Sequence, residues 1–219
     1  MPRLVDVEQG SPEWLAARRG VITATRAQAI FGRGQSKWKG FRFTVPLQAS
    51  EDAIAEIAME RQDHSGKPNV TGAALRRGHD FEDEARDAYT FATGQVVDLC
   101  GLALHDDYDL FGCSPDGMVG QRGMMQIKVP TSVRKHVSYL KTGFHAAEYG
   151  WQLFHEMFVM ERDWTDCVSY CPEAGPGLQL AIHRLYAPRS WKAYRDMLVS
   201  ADCRIEDVVS ELSAIREAA

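Results

Sequence analysis

The sequence predicts an α/β protein in which a central mixed β-sheet is flanked by helices, all within a single domain spanning residues 1–219. Three observations predict it. Apolar residues recur at helical spacing in four long segments, residues 46–60, 71–93, 145–160 and 188–212. Between residues 96 and 129 the pattern changes to short apolar runs broken by Gly and Asp clusters, as in a strand meander. Two further strand-like runs, 164–171 and 178–186, fall between the last two helical segments, so strands and helices interleave.

Each element has a local reason. Ser11-Pro12-Glu13 combines a capping hydroxyl, a proline suited to the first helical position and an acid near the positive end of the helix dipole, predicting a short helix that ends near Gly20. Thr23 can cap a second short helix through Ile30, and the Gly-rich, basic stretch from Phe31 to Phe43 reads as a loop. Leu47, Ala53, Ile54, Ile57 and Ala58 mark a one-sided helix, followed by a polar turn from Asp63 to Asn69. Ala74, Leu75, Phe81, Ala85, Ala88, Tyr89 and Ala92 mark a long helix that stops before Gly94. Strands are expected near 96–104, 109–112, 116–119 and 124–129. Thr131 and Ser132 offer caps for a helix through Leu140, and Trp151, Phe154, Met157 and Phe158 form the apolar side of the next one. Pro188 opens a final helix carrying Trp191, Tyr194, Met197, Leu198, Ile205, Val208 and Leu212, with a bend expected near residues 200–203.

Composition narrows the function classes. With 45% hydrophobic and 25% charged residues the chain is neither disordered nor fibrous. It has no apolar run of the roughly 18 residues that a spanning helix needs and no secretory leader pattern, so a cytoplasmic protein is expected, with no membrane partner. The five cysteines include no CxxC pair and read as reduced, buried thiols. The net charge of −5 is unevenly spread: residues 14–50 hold no acid and carry +7, whereas residues 51–219 carry −10. A solvated basic face is the ordinary reading of such a run, and a phosphate-binding one requires further signs.

Those signs come from Cys113-Ser114-Pro115-Asp116-Gly117 and Met125-Gln126-Ile127-Lys128. A hairpin between the two would set Asp116 and Gln126 on one edge beside Lys128, because residues two apart in a strand share a face. A hard cation takes oxygen ligands, and a nearby lysine can hold a water or balance phosphate charge. Taken alone, an Asp and a Lys twelve positions apart fit a solvated hairpin better.

The wider pattern resembles the PD-(D/E)xK nuclease superfamily, whose core is restriction-endonuclease-like, and within it the phage lambda exonuclease branch with the YqaJ-like viral recombinases. Trp14, Arg18 and Gly20-Val21-Ile22-Thr23-Ala24-Thr25 resemble that branch's N-terminal motif, and Gly78, Phe81-Glu82 and Ala85-Arg86 resemble its long helix. Cys113 to Gly117, then Lys128, Pro130, Thr131-Ser132 and Tyr149 to Gln152, follow in the same order, so the likeness covers roughly residues 9–160.

The resemblance implies a magnesium-dependent 5′-to-3′ exonuclease that digests one strand of duplex DNA from its end and leaves 3′ single strands for recombination. It implies two ions per site, with manganese as a substitute. Asp116 would be a metal ligand together with the residue at 126 and the backbone carbonyl of Ile127, and Glu82 would lie beside the metals. Lys128 and Gln152 would act on the attacking water. Without the resemblance, Glu82 reads as a helix-surface acid pairing with Arg86, and Gln152 as a satisfied helix amide. Arg18, Thr25 and Ser114 would bind the terminal 5′-phosphate, Leu75 would wedge into the duplex end, and Arg33 and Trp38 would touch DNA from the basic loop. Ordinary core is an almost equal reading of Leu75. Members of this branch form a homotrimeric ring around DNA and work with a single-strand annealing protein, so both are implied as partners.

One position departs from the pattern: Gln126 stands where the family motif has glutamate. The amide keeps the shape and loses a charge. It reads either as an isosteric replacement that traps a substrate complex, which the retained Lys128 favours, or as a natural variant that tolerates an amide ligand. Two other functions remain open on the same residues, an endonuclease that cuts internally and a non-catalytic DNA-end-binding module. His79, His105 and His155 form no paired metal motif and read as surface or helix-packing residues, and His105 to Asp109 reads as a turn between strands.

Overall fold

The structure, a computed structural model, describes residues 1–31, 36–38, 41–43, 47–63, 73–143 and 146–218. The chain opens with β1 (Arg3–Val5), α1 (Pro12–Ala17), β2 (Ile22–Thr23) and α2 (Ala24–Phe31). Ser11 caps α1 by accepting the N–H of Trp14 at 3.1 Å, a contact worth about 1 kcal/mol. The expected basic loop contains two short strands, β3 (Ser36–Trp38) and β4 (Phe41–Phe43), paired antiparallel; Arg33 lies outside the described residues. Helices α3 (Leu47–Asp63) and α4 (Ala73–Thr93) follow, and the turn expected at residues 63–69 lies almost wholly outside the described residues. Gly94 ends α4 at φ +68°, a backbone conformation that favours glycine.

The region read as one strand over residues 96–104 is two: β5 (Val97–Asp98) and β6 (Leu102–Leu104), which enter different sheets. Close packing at the bend explains the break. A Cβ on Gly101 would lie 1.9 Å from the Val7 carbonyl oxygen, and Gln9 holds the Cys100 carbonyl at 2.7 Å. Then come β7 (Phe111–Cys113), β8 (Gly117–Val119), β9 (Gly123–Lys128), α5 (Val133–Thr142), α6 (Ala146–Val159), β10 (Trp164–Tyr170), β11 (Leu180–Tyr186) and α7 (Lys192–Ala218). Helix α7 runs unbroken through residues 200–203, where a bend was expected.

Apart from the β3–β4 pair, the described strands form two mixed sheets flanked by helices. The first has the order β1-β6-β7-β2 and the second β11-β10-β9-β8-β5, with β9 and β10 parallel between antiparallel neighbours. A core of Ile22, Ala27, Ile54, Ile57, Phe111, Met124, Trp151, Phe154, Met157, Tyr194 and Leu198 joins both sheets to α2, α3, α6 and α7. Burying each large side chain there contributes roughly 1.5–3 kcal/mol. On the other face of the five-stranded sheet, Ala85 and Tyr89 of α4 pack on Val119, Met125, Ile127 and Val168. Strand β9 therefore alternates: Met124 faces α6, while Met125 and Ile127 share the opposite face, against α4. Trp151, Phe154 and Phe158 are core, as their spacing indicates, and no described helix is long and apolar enough to cross a membrane.

Candidate active site

The β8–β9 hairpin pairs Gly117 with Met125 and Met118 with Met124, which carries Asp116 to a position beside Gln126 and Ile127. Asp116 Oδ2 accepts the backbone N–H of Ile127 at 2.6 Å and an N–H of the Gln126 amide. Both side chains are buried, Asp116 at 8% exposure and Gln126 at 5%. From α4, Glu82 hydrogen-bonds Asp116. Arg86, one turn on, donates to Asp83 and to the backbone carbonyl of Asp116 at 3.2 Å. Glu82 is thus directed to Asp116 rather than to the helix surface.

Burial raises the carboxyls of both Asp116 and Glu82, the latter to about 8 with the neighbouring Asp116 adding to the rise. Lys128 pulls both the other way without cancelling the effect. Alternation along β9 places Lys128 on the same face as Gln126, and its Nζ lies 4.9 Å from the centre of the Tyr149 ring. Gln152 of α6 donates to Glu156 Oε1 at 2.9 Å.

Glu156 is a site residue that sequence reasoning missed. It is 1% exposed, and burial raises its carboxyl to about 8 although Lys128 opposes the shift. A signal for it existed: residues 150–160 are apolar on almost every side, and an acid in such a helix has no solvent face to occupy.

No group of three or more His, Cys, Asp or Glu stands ready to hold a metal among the described residues. The donors that are present are oxygen-rich, and two buried oxygens, Gln126 Oε1 and Glu156 Oε2, have no hydrogen-bond partner among the described residues. Unpaired buried oxygens beside two carboxyls of raised pKa fit a hard divalent cation.

A second cluster lies beside the first. The Arg18 guanidinium stacks 3.8 Å from the centre of the Trp14 ring, and Trp14 Nε1 donates to Ser114 Oγ at 2.9 Å and to the Gly101 carbonyl at 3.2 Å. Burial, then the neighbouring Arg26, lowers Arg18 to about 10, so it remains a cation at neutral pH. It has no carboxylate in ion-pair range among the described residues. Thr25 is exposed, and its hydroxyl pairs with Thr23 at 3.4 Å rather than with Arg18 or Ser114. The cluster is braced from α3, where Glu60 accepts the Gly20 N–H at 2.8 Å and pairs with Arg26.

Leu75 and Trp38 lie in α4 and β3, and their side chains fall outside the described part, as does that of His79. Of the two readings given for His105 and His155, packing is the one seen: both are buried. His105 stacks on Phe158 at 4.6 Å, and His155 bonds the Tyr194 hydroxyl at 2.9 Å and the Gly112 carbonyl at 3.1 Å. Four cysteines are buried and all five are unpaired thiols.

Comparison with known proteins bears on the fold and the family. An alkaline exonuclease, LHK-Exo, from Laribacter hongkongensis is similar over 95% of this chain and 97% of its own, at 27% identity and a TM-score of 0.77. The same enzyme in complex with dAMP matches at 28% identity over 95% of each chain, with a TM-score of 0.73. A phage related exonuclease from Haemophilus somnus 129PT matches over 91% of this chain and 96% of its own with a TM-score of 0.65; at 11% identity it speaks to the fold alone. No curated protein matches in sequence. The fold is thus of the PD-(D/E)xK type seen in alkaline exonucleases, and the model of the YqaJ-like viral recombinase domain matches residues 13–167. The chain belongs to the YqaJ-like viral recombinase domain family.

Proposed function

We propose that the protein is a divalent-metal-dependent DNA exonuclease that degrades one strand of a duplex from its 5′ end. The observation that carries this reading is the grouping of buried Asp116 and Gln126 with half-buried Glu82 and Lys128 in a fold matched along nearly its full length by an alkaline exonuclease. Asp116, Glu82, the Gln126 amide oxygen and the Ile127 carbonyl would hold Mg2+, with Mn2+ as a substitute and two ions per site. Bound there, the cation lowers the pKa of the attacking water and balances charge on the phosphate.

The remaining work falls to the chain's own side chains. Lys128 and Gln152 hold the water on the α6 side of β9. Water oxygen bonds to phosphorus, the bond from phosphorus to the 3′ oxygen breaks, and that oxygen takes up a proton as the nucleotide leaves. Arg18 and Ser114, joined through Trp14, bind the terminal 5′-phosphate, with Thr25 at the rim. A guanidinium without a carboxylate partner suits that anion. Leu75 would part the end base pair, and Arg33 and Trp38 would touch the duplex. A trimeric ring would let basic residues line a channel while the acidic remainder faces outward. A single-strand annealing protein would take the 3′ strand.

The test uses linear 5′-phosphorylated duplex, closed circular duplex and Mg2+. Release of nucleotides from the linear substrate alone is the expected result, and Asp116→Ala lowers it by on the order of a thousandfold. Cutting of the circle would make the protein an endonuclease. Gln126 favours a second reading, an end-binding module without turnover; tight binding of linear ends with no nucleotide release would establish it.

A further inference from the structure

Strand β9 brings an amide, not an acid, to the pocket at residue 126, so Asp116 is left with Glu82 as its carboxylate companion. A third acid approaches from the other side. Glu156 sits on α6, buried, with Oε1 bound by Gln152 at 2.9 Å and Oε2 unpartnered among the described residues. Alternation along β9 shows which way the pocket opens. Met124 packs in one cluster with Phe154 and Met157 of α6, so Gln126 and Lys128 share that face.

Glu156 also lies within electrostatic reach of the hairpin residues. It interacts with Lys128, Asp116 and Arg18, and the Cys167 thiol, aligned with Gln126 across the parallel pair, senses Lys128, Glu156 and Asp116 together. The two unpartnered buried oxygens, Gln126 Oε1 and Glu156 Oε2, are thus carried by β9 and by α6, the helix that packs on the same face of β9 as Gln126. Leaving a buried polar atom unpaired is destabilising, so a purely structural acid here would be a poor choice. A cation between the two elements would pair both oxygens.

We propose that Glu156 is a carboxylate of the divalent-cation site, supplying from α6 the negative charge that Gln126 does not supply from β9. This rests on the reading of the pocket as a cation site. Gln152, by holding Oε1, is the positioning residue that aims Oε2 into the pocket. The acid set is thus divided among the hairpin, α4 and α6, and Gln126 is a natural amide partner of that set rather than a defect in it.

Direct titration of the full-length protein with Mn2+, followed by electron paramagnetic resonance without DNA, tests the proposal independently of turnover. Asp116→Ala should abolish binding, and Glu156→Gln should weaken it by on the order of tenfold or more. Restoring an acid on the strand, in Gln126→Glu/Glu156→Gln, should recover most of that loss, which a structural role for Glu156 would not do. Parent-like Mn2+ affinity in Glu156→Gln, or no recovery in the double variant, overturns the proposal while leaving the cation site of Asp116 in place. If the parent protein binds no Mn2+, the reading of the pocket itself falls. Should Glu156→Gln fail to fold by circular dichroism, Glu156→Asp keeps the charge and shortens its reach, and it must itself weaken Mn2+ binding; unchanged affinity overturns the proposal.

Discussion

Two arginines stack on tryptophans near two buried acid groups, and only one of these assemblies is closed. On the α4 side of the sheet, Arg184 lies 3.6 Å over Trp164 and grips both oxygens of Asp166 at 2.7 and 2.8 Å, while the Tyr89 hydroxyl donates to Asp166 at 2.7 Å. Asp166 is 1% exposed and fully engaged by protein. Arg18 stacks over Trp14 with similar geometry, yet it has no carboxylate partner among the described residues. Asp116 and Glu156 are buried beside it with raised carboxyl pKa values and an unpaired oxygen on Glu156. Burial alone therefore does not separate structural from functional acids. What separates them is whether the protein completes their hydrogen bonding or leaves it for a ligand.

The largest expected effect breaks the closed assembly. Asp166→Ala leaves Arg184 and Tyr89 without their acceptor and should lower stability by about 3 kcal/mol, near the low end for a buried pair because Arg184 is partly exposed. In a thermal melt that corresponds to a fall of roughly 10 °C for a chain of this length. Asp116→Ala, by contrast, should leave the metal-free melting temperature within a few degrees of the parent. A comparable fall in both variants would erase the distinction.

The next effect sharpens the open assembly. Gln126→Glu adds a carboxylate at nearly the same volume, and the rate of nucleotide release with Mg2+ should rise by on the order of a hundredfold if Gln126 limits the site. If Glu156 already supplies that charge, the gain shrinks to a few-fold or less, so this rate and the Mn2+ affinities must agree.

A smaller effect concerns pH in the presence of a chelator. Glu156 moves from an ordinary value of 4.5 up to about 8 in the folded protein. Between those values the folded state binds the proton more tightly than the unfolded chain does. Its contribution is therefore fully present below pH 4.5 and is lost as pH rises towards 8. The metal-free melting temperature should decline across that window, and less steeply in Glu156→Gln; parallel slopes would mean that Glu156 is not buried as described.

The smallest effect concerns the second arginine. Arg18→Ala should reduce the preference for 5′-phosphorylated over 5′-hydroxyl duplex ends by on the order of tenfold, the size of one charge-assisted contact. Digestion of both ends at an unchanged ratio would remove Arg18 from the end pocket.

Much of the fold was legible because its helices carry one-sided apolar spacing, and the β8–β9 hairpin was legible because Asp116, Gly117 and the apolar run before Lys128 leave few other arrangements. What escaped depends on distant backbone. Strands β1 and β2 span three and two residues, too short for any alternation, and exist through pairing with β6 and β7. The separation of β5 from β6 follows from the approach of Gly101 to Val7, and these lie far apart in sequence. Glu156 escaped because His155-Glu156, taken by themselves, suggest a polar side to the helix; the apolar residues on every flank were the sign against it, and the burial of both shows that no such side exists there. The roles proposed for Gln152 and Arg18 came from motif likeness, whereas Lys128 was marked as well by its place two residues after Gln126 on one strand face.

Gly123 shows how far one missing methyl group reaches. Aligned with Trp164 across the parallel pair, it lets the indole lie flat on the strand; a Cβ there would stand 2.1 Å from the ring. The ring is in turn the floor beneath Arg184. Positions 123, 164 and 184 therefore form a single unit of inheritance: a larger residue at the first demands a smaller one at the second, and that change strips the third of its support. Drift at one of these positions is confined by the other two.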